Sequence, residues 1–423
     1  MSEATTPETT SGTGNEVQLI HIPGDQSLRF LTEGYAFGRR RFEEHGTDAF
    51  RTRLLGRTAT MLRGTDAAEF FYGEGRFRRV GGMPRSAFHS LQDEGSVQTL
   101  EGPAHRGRKR IFLDLMTDEH RAALAHRTAE AWEEHWSRWV AASEPVSLIR
   151  AAERVLTDAA LRWLGVESSA LEQRARTDEF HAMLDGAGAF GPRNWYGRRR
   201  RLQTERWARA VVREHRASGS GDVDTPLGRL LQHREAGGPL DEGTAAIELL
   251  NLLRPTVAVA WFVGFAGLAL HRHPVWRERV VTDDHQLFAF TEEVRRTAPF
   301  FPAIGGRAVG AQTWRGVTFA PGDWVLVDFF ATQRDPRVWP DPDRFDPSRF
   351  AVPEHHHVIV QGAGSMPDGH RCPGEPATVD LLRVLTRALA RATWDVPAQD
   401  LRVDLRRMPA LPGREGLLIR PRG

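Results

Sequence analysis

The stretch Gln361–Glu375, QGAGSMPDGHRCPGE, contains Cys372, the only cysteine among 423 residues. Gly362, Gly364 and Gly369 precede the thiol, and Pro373 and Gly374 follow it. The apolar-periodic run Val379–Leu385 comes next and reads as a helix over 376–392. The stretch is therefore a glycine-rich loop that delivers one thiol to a helix N-terminus. Free backbone N–H groups and the positive end of the helix dipole favour a thiolate there. A lone cysteine is more often an inert core residue, but such a residue needs neither the glycines before it nor the Pro-Gly after it. A thiolate so placed serves as nucleophile, redox centre or metal ligand.

Upstream, Glu293-Val294-Arg295-Arg296 lies on an expected helix with Glu293 and Arg296 on one face. Asp335–Phe350, DPRVWPDPDRFDPSRF, follows as a Pro/Asp-rich aromatic coil. The Glu-x-x-Arg helix, the Pro-x-x-Phe-x-Pro-x-x-Phe coil (Pro342, Phe345, Pro347, Phe350) and the loop ending in Cys-x-Gly occur in an order that resembles a cytochrome P-450. The resemblance runs from about Pro23 to the C-terminus. It implies a mainly α fold with small β-sheets in a single domain. It also implies haem b, with Cys372 as the axial thiolate ligand of its iron. In that family Glu293 and Arg296 brace the coil before the cysteine loop, which is a structural role.

The bulk properties narrow the class. A net charge of +2 carries no global nucleic-acid footprint. One cysteine excludes an intramolecular disulfide. Residues 1–18 are polar, lack the apolar segment of a signal peptide and read as a disordered tail, which leaves 19–423 as the catalytic domain. No window is read as approaching the roughly 18 apolar residues of a membrane span, so a cytoplasmic protein is expected. Helices are expected over 117–142, 149–166, 168–185, 201–217, 225–234, 245–271, 275–282 and 284–298. A strand is expected over 58–62, and a β-hairpin over 316–329 around Pro321-Gly322-Asp323. Arg198–Arg201 opens a helix as a solvated basic face. His355-His356-His357 cannot converge on one metal ion, because alternate side chains of a strand diverge.

Two faults stand side by side in the longest apolar helix, at Leu252-Leu253-Arg254-Pro255-Thr256-Val257. A proline in a helix interior costs on the order of 3 kcal/mol, and a buried arginine is costly unless paired. Sequence rules fail in this way at functional positions. A guanidinium aimed into a cavity binds a planar anion, and its fork suits a carboxylate.

The same place departs from most cytochromes P-450, whose acid–alcohol pair here delivers protons to iron-bound oxygen. No acid occurs in Leu253-Arg254-Pro255-Thr256. The Arg-Pro pair resembles the bacterial fatty-acid peroxygenases of the family. Gln361-Gly362-x-Gly364, the longer loop before Cys372, GHRCPGE, Pro299-Phe300-Phe301-Pro302 and Phe190-Gly191-Pro192-Arg193 with Trp195 extend the resemblance. It implies direct use of hydrogen peroxide, no reductase partner, and a long-chain fatty acid whose carboxylate pairs with Arg254, beside Pro255, as general acid–base. Anchoring then presents the α and β carbons for hydroxylation.

Gln98, in Ser96–Gly102, matches a distal-pocket strand position that is Gln in hydroxylases of that branch and His in a decarboxylating, alkene-forming member. It leans towards hydroxylation. Arg254, Gln98, Phe190 and Phe300 are the expected substrate contacts. Leu91-Gln92-Asp93 stands where the branch tends to place an aromatic residue over the haem. His105, Lys109 and, in reserve, Arg108 are expected on the haem propionates, with Gly364 also at the cofactor. The competing readings are decarboxylation to a terminal alkene, a reductase-dependent monooxygenase of another carboxylic acid, and a haem or fatty-acid carrier without turnover.

Overall fold

The structure is a computed structural model that describes residues 16–84, 95–218, 224–235, 237–351 and 358–423. The helices that build the core and the site are α1 (Thr65–Tyr72), α2 (Gly102–Asp114), α3 (Asp118–Ala142), α4 (Leu148–Leu164), α5 (Ala170–Gly186), α6 (Pro192–Ala217), α7 (Glu242–Arg272), α8 (Asp284–Thr297) and α9 (Glu375–Arg391). A six-stranded sheet is made by β1 (Leu19–Asp25), β2 (Ala49–Leu54), β3 (Arg57–Leu62), β4 (Phe77–Arg78), β5 (Ala303–Ala308) and β6 (Trp324–Asp328), in the order β1-β2-β3-β6-β5-β4.

Helix α7 is the axis of the molecule. Asp241 caps it by accepting from the Thr244 N–H at 3.0 Å. It is mostly apolar around its circumference, as a helix surrounded by neighbours tends to be, apart from the buried Glu248, Asn251 and Arg254, and it packs against α4, α6 and α9. Its length and hydropathy do satisfy those of a membrane span, contrary to the sequence expectation, but 89% of that window is buried inside the protein. It is the core helix.

The helix expectations hold to within a few residues, with one larger difference. Helix α6 begins at Pro192 rather than 201, because proline suits the first helical position, where its missing N–H is not needed. The arginine run therefore lies inside α6. Arg198 and Arg199 are exposed, whereas Arg201 is buried and donates to Glu205 at 2.7 Å. The hairpin expected over 316–329 is also different. Gln312–Trp314 pairs with Val317–Phe319, and β6 instead runs parallel to β3 (Trp324 opposite Ala59) and antiparallel to β5 (Trp324 opposite Arg307). The Pro-Gly-Asp turn ends one pairing and begins another. Of the tail read as disordered, residues 1–15 lie outside the described residues; the Val17 N–H donates to Arg315 O at 2.9 Å, and Gln18 O accepts from Thr47 Oγ1.

Candidate active site

The cysteine loop closes on itself before α9 starts. The Cys372 N–H donates to Gln361 O at 3.0 Å, and Gly374 is the N-cap. Gly362 has φ +105°, and a Cβ there would lie 2.8 Å from the Tyr72 ring at the end of α1. Only glycine fits that approach. Gly364, expected at the cofactor, is not on the cavity wall; it has φ +72° and backs onto Tyr72. Burial pushes the Cys372 thiol up, against the lowering by the Gly374 N–H, Lys109 and the Gln361 side chain.

Two adjacent arginines of α8 brace this region. Arg296 forms a two-pronged pair with Glu293 at 2.6 and 2.7 Å, both fully buried, and donates to Gln333 O at 2.7 Å and Pro342 O at 3.0 Å. Glu293 accepts the Asp346 N–H at 2.8 Å. Helix and coil are thus tied by both members of the pair. Arg295 reaches the cysteine loop instead, through Gln361 Oε1 at 2.9 Å and Glu375 Oε1 at 2.7 Å.

Cys372 opens on a cavity of about 340 Å³. Arg254, Pro255, Gln98, His105, Lys109 and Phe300 line the same cavity. No Asp or Glu lines it among the described residues. Arg254 is buried and donates to Asn251 Oδ1 at 2.8 Å, one turn back on α7. Pro255 lies within the unbroken helix, where it withholds the N–H that Asn251 O would otherwise accept. Gln98 sits not on a strand but in the 3-10 turn Val97–Thr99, and its Oε1 is buried without a hydrogen-bond partner among the described residues.

Basic side chains gather on the Cys372 side. Lys109 Nζ donates to Arg371 O at 2.7 Å and to Gly369 O, and burial lowers its pKa to about 8. The His105 ring lies 4.1 Å from that of His370, and burial with His370 and Lys109 as neighbours lowers its pKa to about 3. Arg79 is buried with its guanidinium over the rings of Phe71 and Tyr72 at 4.4 and 4.5 Å, and its Nη1 has no hydrogen-bond partner among the described residues. Arg108 does not join them. It faces away from the cavity, bound to Glu248 at 2.8 Å and to Glu235, because those carboxylates stand on its side of α2.

Phe190 lines a second, apolar chamber of about 190 Å³ with Leu31, Leu55 and Met408. The two chambers share Leu184, Phe300, Phe301, Ala303 and Ile304 as walls. Leu91-Gln92-Asp93 and His355-His356-His357 lie outside the described residues. Tyr72, Arg79 and Asn251 are not found by sequence reading, and His370 is read there only as part of the GHRCPGE motif. Of the three missed, Asn251 alone had a signal, a polar residue three before Arg254 in an apolar helix.

A haem fits this arrangement. Among the described residues no group of three His, Cys, Asp or Glu could hold a metal ion by itself. Lys109 and His370 line the cavity, and Arg79, which does not, has an unpartnered Nη1 behind Tyr72; these donors suit the anionic edge of a haem. The Cytochrome P450 family model matches residues 286–417. The structure of a mutant of cytochrome P450SP alpha superposes with a TM-score of 0.90 and 35% identity, covering 94% of this chain and 98% of that one. Cytochrome P450EX alpha with myristic acid gives 0.88 and 35%, covering 95% and 98%. Rhazimal synthase of Alstonia scholaris is 30% identical over 179 residues, which is 35% of each chain. The chain belongs to the cytochrome P450 family, in the branch that holds P450SP alpha and P450EX alpha.

Proposed function

We propose that this chain is a haem-thiolate peroxygenase that uses hydrogen peroxide, without a reductase, to hydroxylate long-chain fatty acids at the α or β carbon. One observation carries the reading: Arg254 and Cys372 share a cavity that no described carboxylate lines. The protein thus offers an anion anchor and no acid–base group of its own. A fatty acid supplies what is missing, because its carboxylate held by the Arg254 guanidinium takes up and returns the proton.

When bound at Cys372, haem supplies the iron at which peroxide is cleaved and a C–H bond is oxidised. Arg254 holds the carboxylate end, and Pro255 and Gln98 border it. Phe300, Phe301 and Leu184 line the passage for the acyl chain, whose tail enters the chamber beside Phe190. Apolar walls exclude water, which strengthens the arginine–carboxylate pair. The myristic acid in the structure of P450EX alpha supports an acyl substrate, and the reading places the enzyme in the cytoplasm.

The test gives the haem-loaded protein hydrogen peroxide and saturated fatty acids, with no reductase, and identifies products by mass spectrometry. Hydroxy acids are expected, and Cys372→Ser should make none. Turnover only with a reductase and reduced nicotinamide would overturn the peroxygenase reading. An alkene one carbon shorter would replace hydroxylation by decarboxylation.

A further inference from the structure

Glu248, Asn251 and Arg254 follow one another at three-residue spacing on α7 and form one ridge. Glu248 is completely buried. Its Oε2 accepts from Asn251 Nδ2 at 2.8 Å, and Asn251 Oδ1 in turn accepts from Arg254 at 2.8 Å. Its Oε1 accepts from the Val97 N–H at 3.0 Å and from Arg108 at 2.8 Å. One carboxylate therefore reaches towards Arg254 on one side and the turn that carries Gln98 on the other. Neither Glu248 nor Arg108 lines the cavity.

We infer that Glu248 is a positioning residue for the substrate carboxylate, fixing Arg254 through the Asn251 amide and fixing Gln98 through the Val97 N–H. The inference rests on the fatty-acid reading above, whose anchor it explains. The logic is one of donors and acceptors. An ionised carboxylate only accepts, and a guanidinium only donates. Asn251 stands between them, so its NH₂ must face Glu248 and its oxygen must face Arg254. The amide cannot flip without setting donor against donor at one end and acceptor against acceptor at the other. On the second arm, the Val97 N–H opens the turn Val97–Thr99 that carries Gln98. Burial raises the Glu248 pKa, while Asn251, Arg108 and the Val97 N–H lower it. Those three donors are the groups that stabilise the charge inside the core.

Glu248→Gln is nearly isosteric and breaks this logic. An amide offers one oxygen where the carboxylate offered two, so its NH₂ must face either Asn251 or the Val97 N–H and Arg108. Asn251→Ala removes the link to Arg254 and leaves Glu248 with Val97 and Arg108. The probe is myristic acid binding to the haem-loaded protein, followed by calorimetry and by the haem absorption shift, with no peroxide present. Both variants should bind about tenfold or more weakly, with haem content and thiolate spectrum as in the wild type. Glu248→Gln added to Asn251→Ala should weaken binding by less than the two effects summed, because one arm of its action is already gone. In turnover, the ratio of α to β products should broaden.

Wild-type affinity in Asn251→Ala would overturn the inference even if Glu248→Gln fails to fold. Fully additive effects of the two changes would overturn it as well. Failure of the functional reading looks different. Wild-type protein would then bind myristic acid without hydroxylating it under peroxide, while the binding comparison above would still decide the role of Glu248.

Discussion

Arg295 and Arg296 are neighbours on one helix, yet they hold opposite sides of the cysteine's surroundings. Arg296 carries the coil at Gln333 and Pro342, and Arg295 carries the loop at Gln361 and Glu375. Both are buried and paired within a turn, to Glu293 and Glu292. Removing one partner of such a pair leaves a buried charge, at a cost of about 3–5 kcal/mol. Arg296→Ala should therefore accumulate poorly and copurify with little haem, read as the ratio of haem to protein absorbance. Full haem content would show that the pair is dispensable.

Arg254→Ala should retain haem and lose fatty-acid turnover with peroxide, by about a hundredfold or more in kcat/KM. Arg254→Lys should recover part of it, since an ammonium offers a point charge without the fork. Unchanged turnover in Arg254→Ala would remove the carboxylate from the mechanism.

Gln98→His places a titratable ring where a buried amide oxygen now has no described partner. The alkene fraction among products should rise, measured by gas chromatography against hydroxy acids. An identical ratio would show that this wall of the cavity does not steer the outcome.

Asp328 caps the segment that follows β6, accepting from the Ala331 N–H at 2.7 Å, and burial raises its pKa from 3.8 to about 7. Between those values the folded protein holds a proton that the unfolded chain has lost, so this residue's contribution to stability falls as pH rises from about 4 to about 7 and is level above. Asp328→Asn keeps the acceptor and removes the titration. Relative to the variant, wild-type Tm should decline across that window by about 2 °C or more. Parallel Tm curves from pH 4 to 8 would refute the assignment.

Phe190 lines the second chamber and is 49% exposed. Phe190→Ala should move the preferred acid to longer chains while the position of hydroxylation stays fixed, as scored by competition among acids of graded length. A shift in position instead would mean that the chain, not the carboxylate, sets the register.

Much of this was readable from the chain alone. The lone thiol among glycines and the Arg254-Pro255 fault each break a local rule, the Glu293–Arg296 spacing follows one, and both kinds of signal are visible in one dimension. Helices α3 and α9 announce themselves by periodicity. What could not be read depends on partners distant in sequence. Arg108 looked like a cation for a cofactor, yet Glu235 and Glu248 turn it away. Arg79 carried no signal in the sequence, and only the fold packs it against Tyr72. The helix-terminus argument for Cys372 omitted the dehydrated surroundings that oppose it.

Under the proposed function, the shared walls of the two chambers, at Leu184, Phe300, Phe301, Ala303 and Ile304, would make the enzyme a ruler with its zero mark at the arginine. Every acid would be measured from the same end, whatever its length. Changes in the second chamber should then select which acids are accepted, and changes near α7 should select which carbon is marked. Two traits that a single cavity would entangle can be altered one at a time.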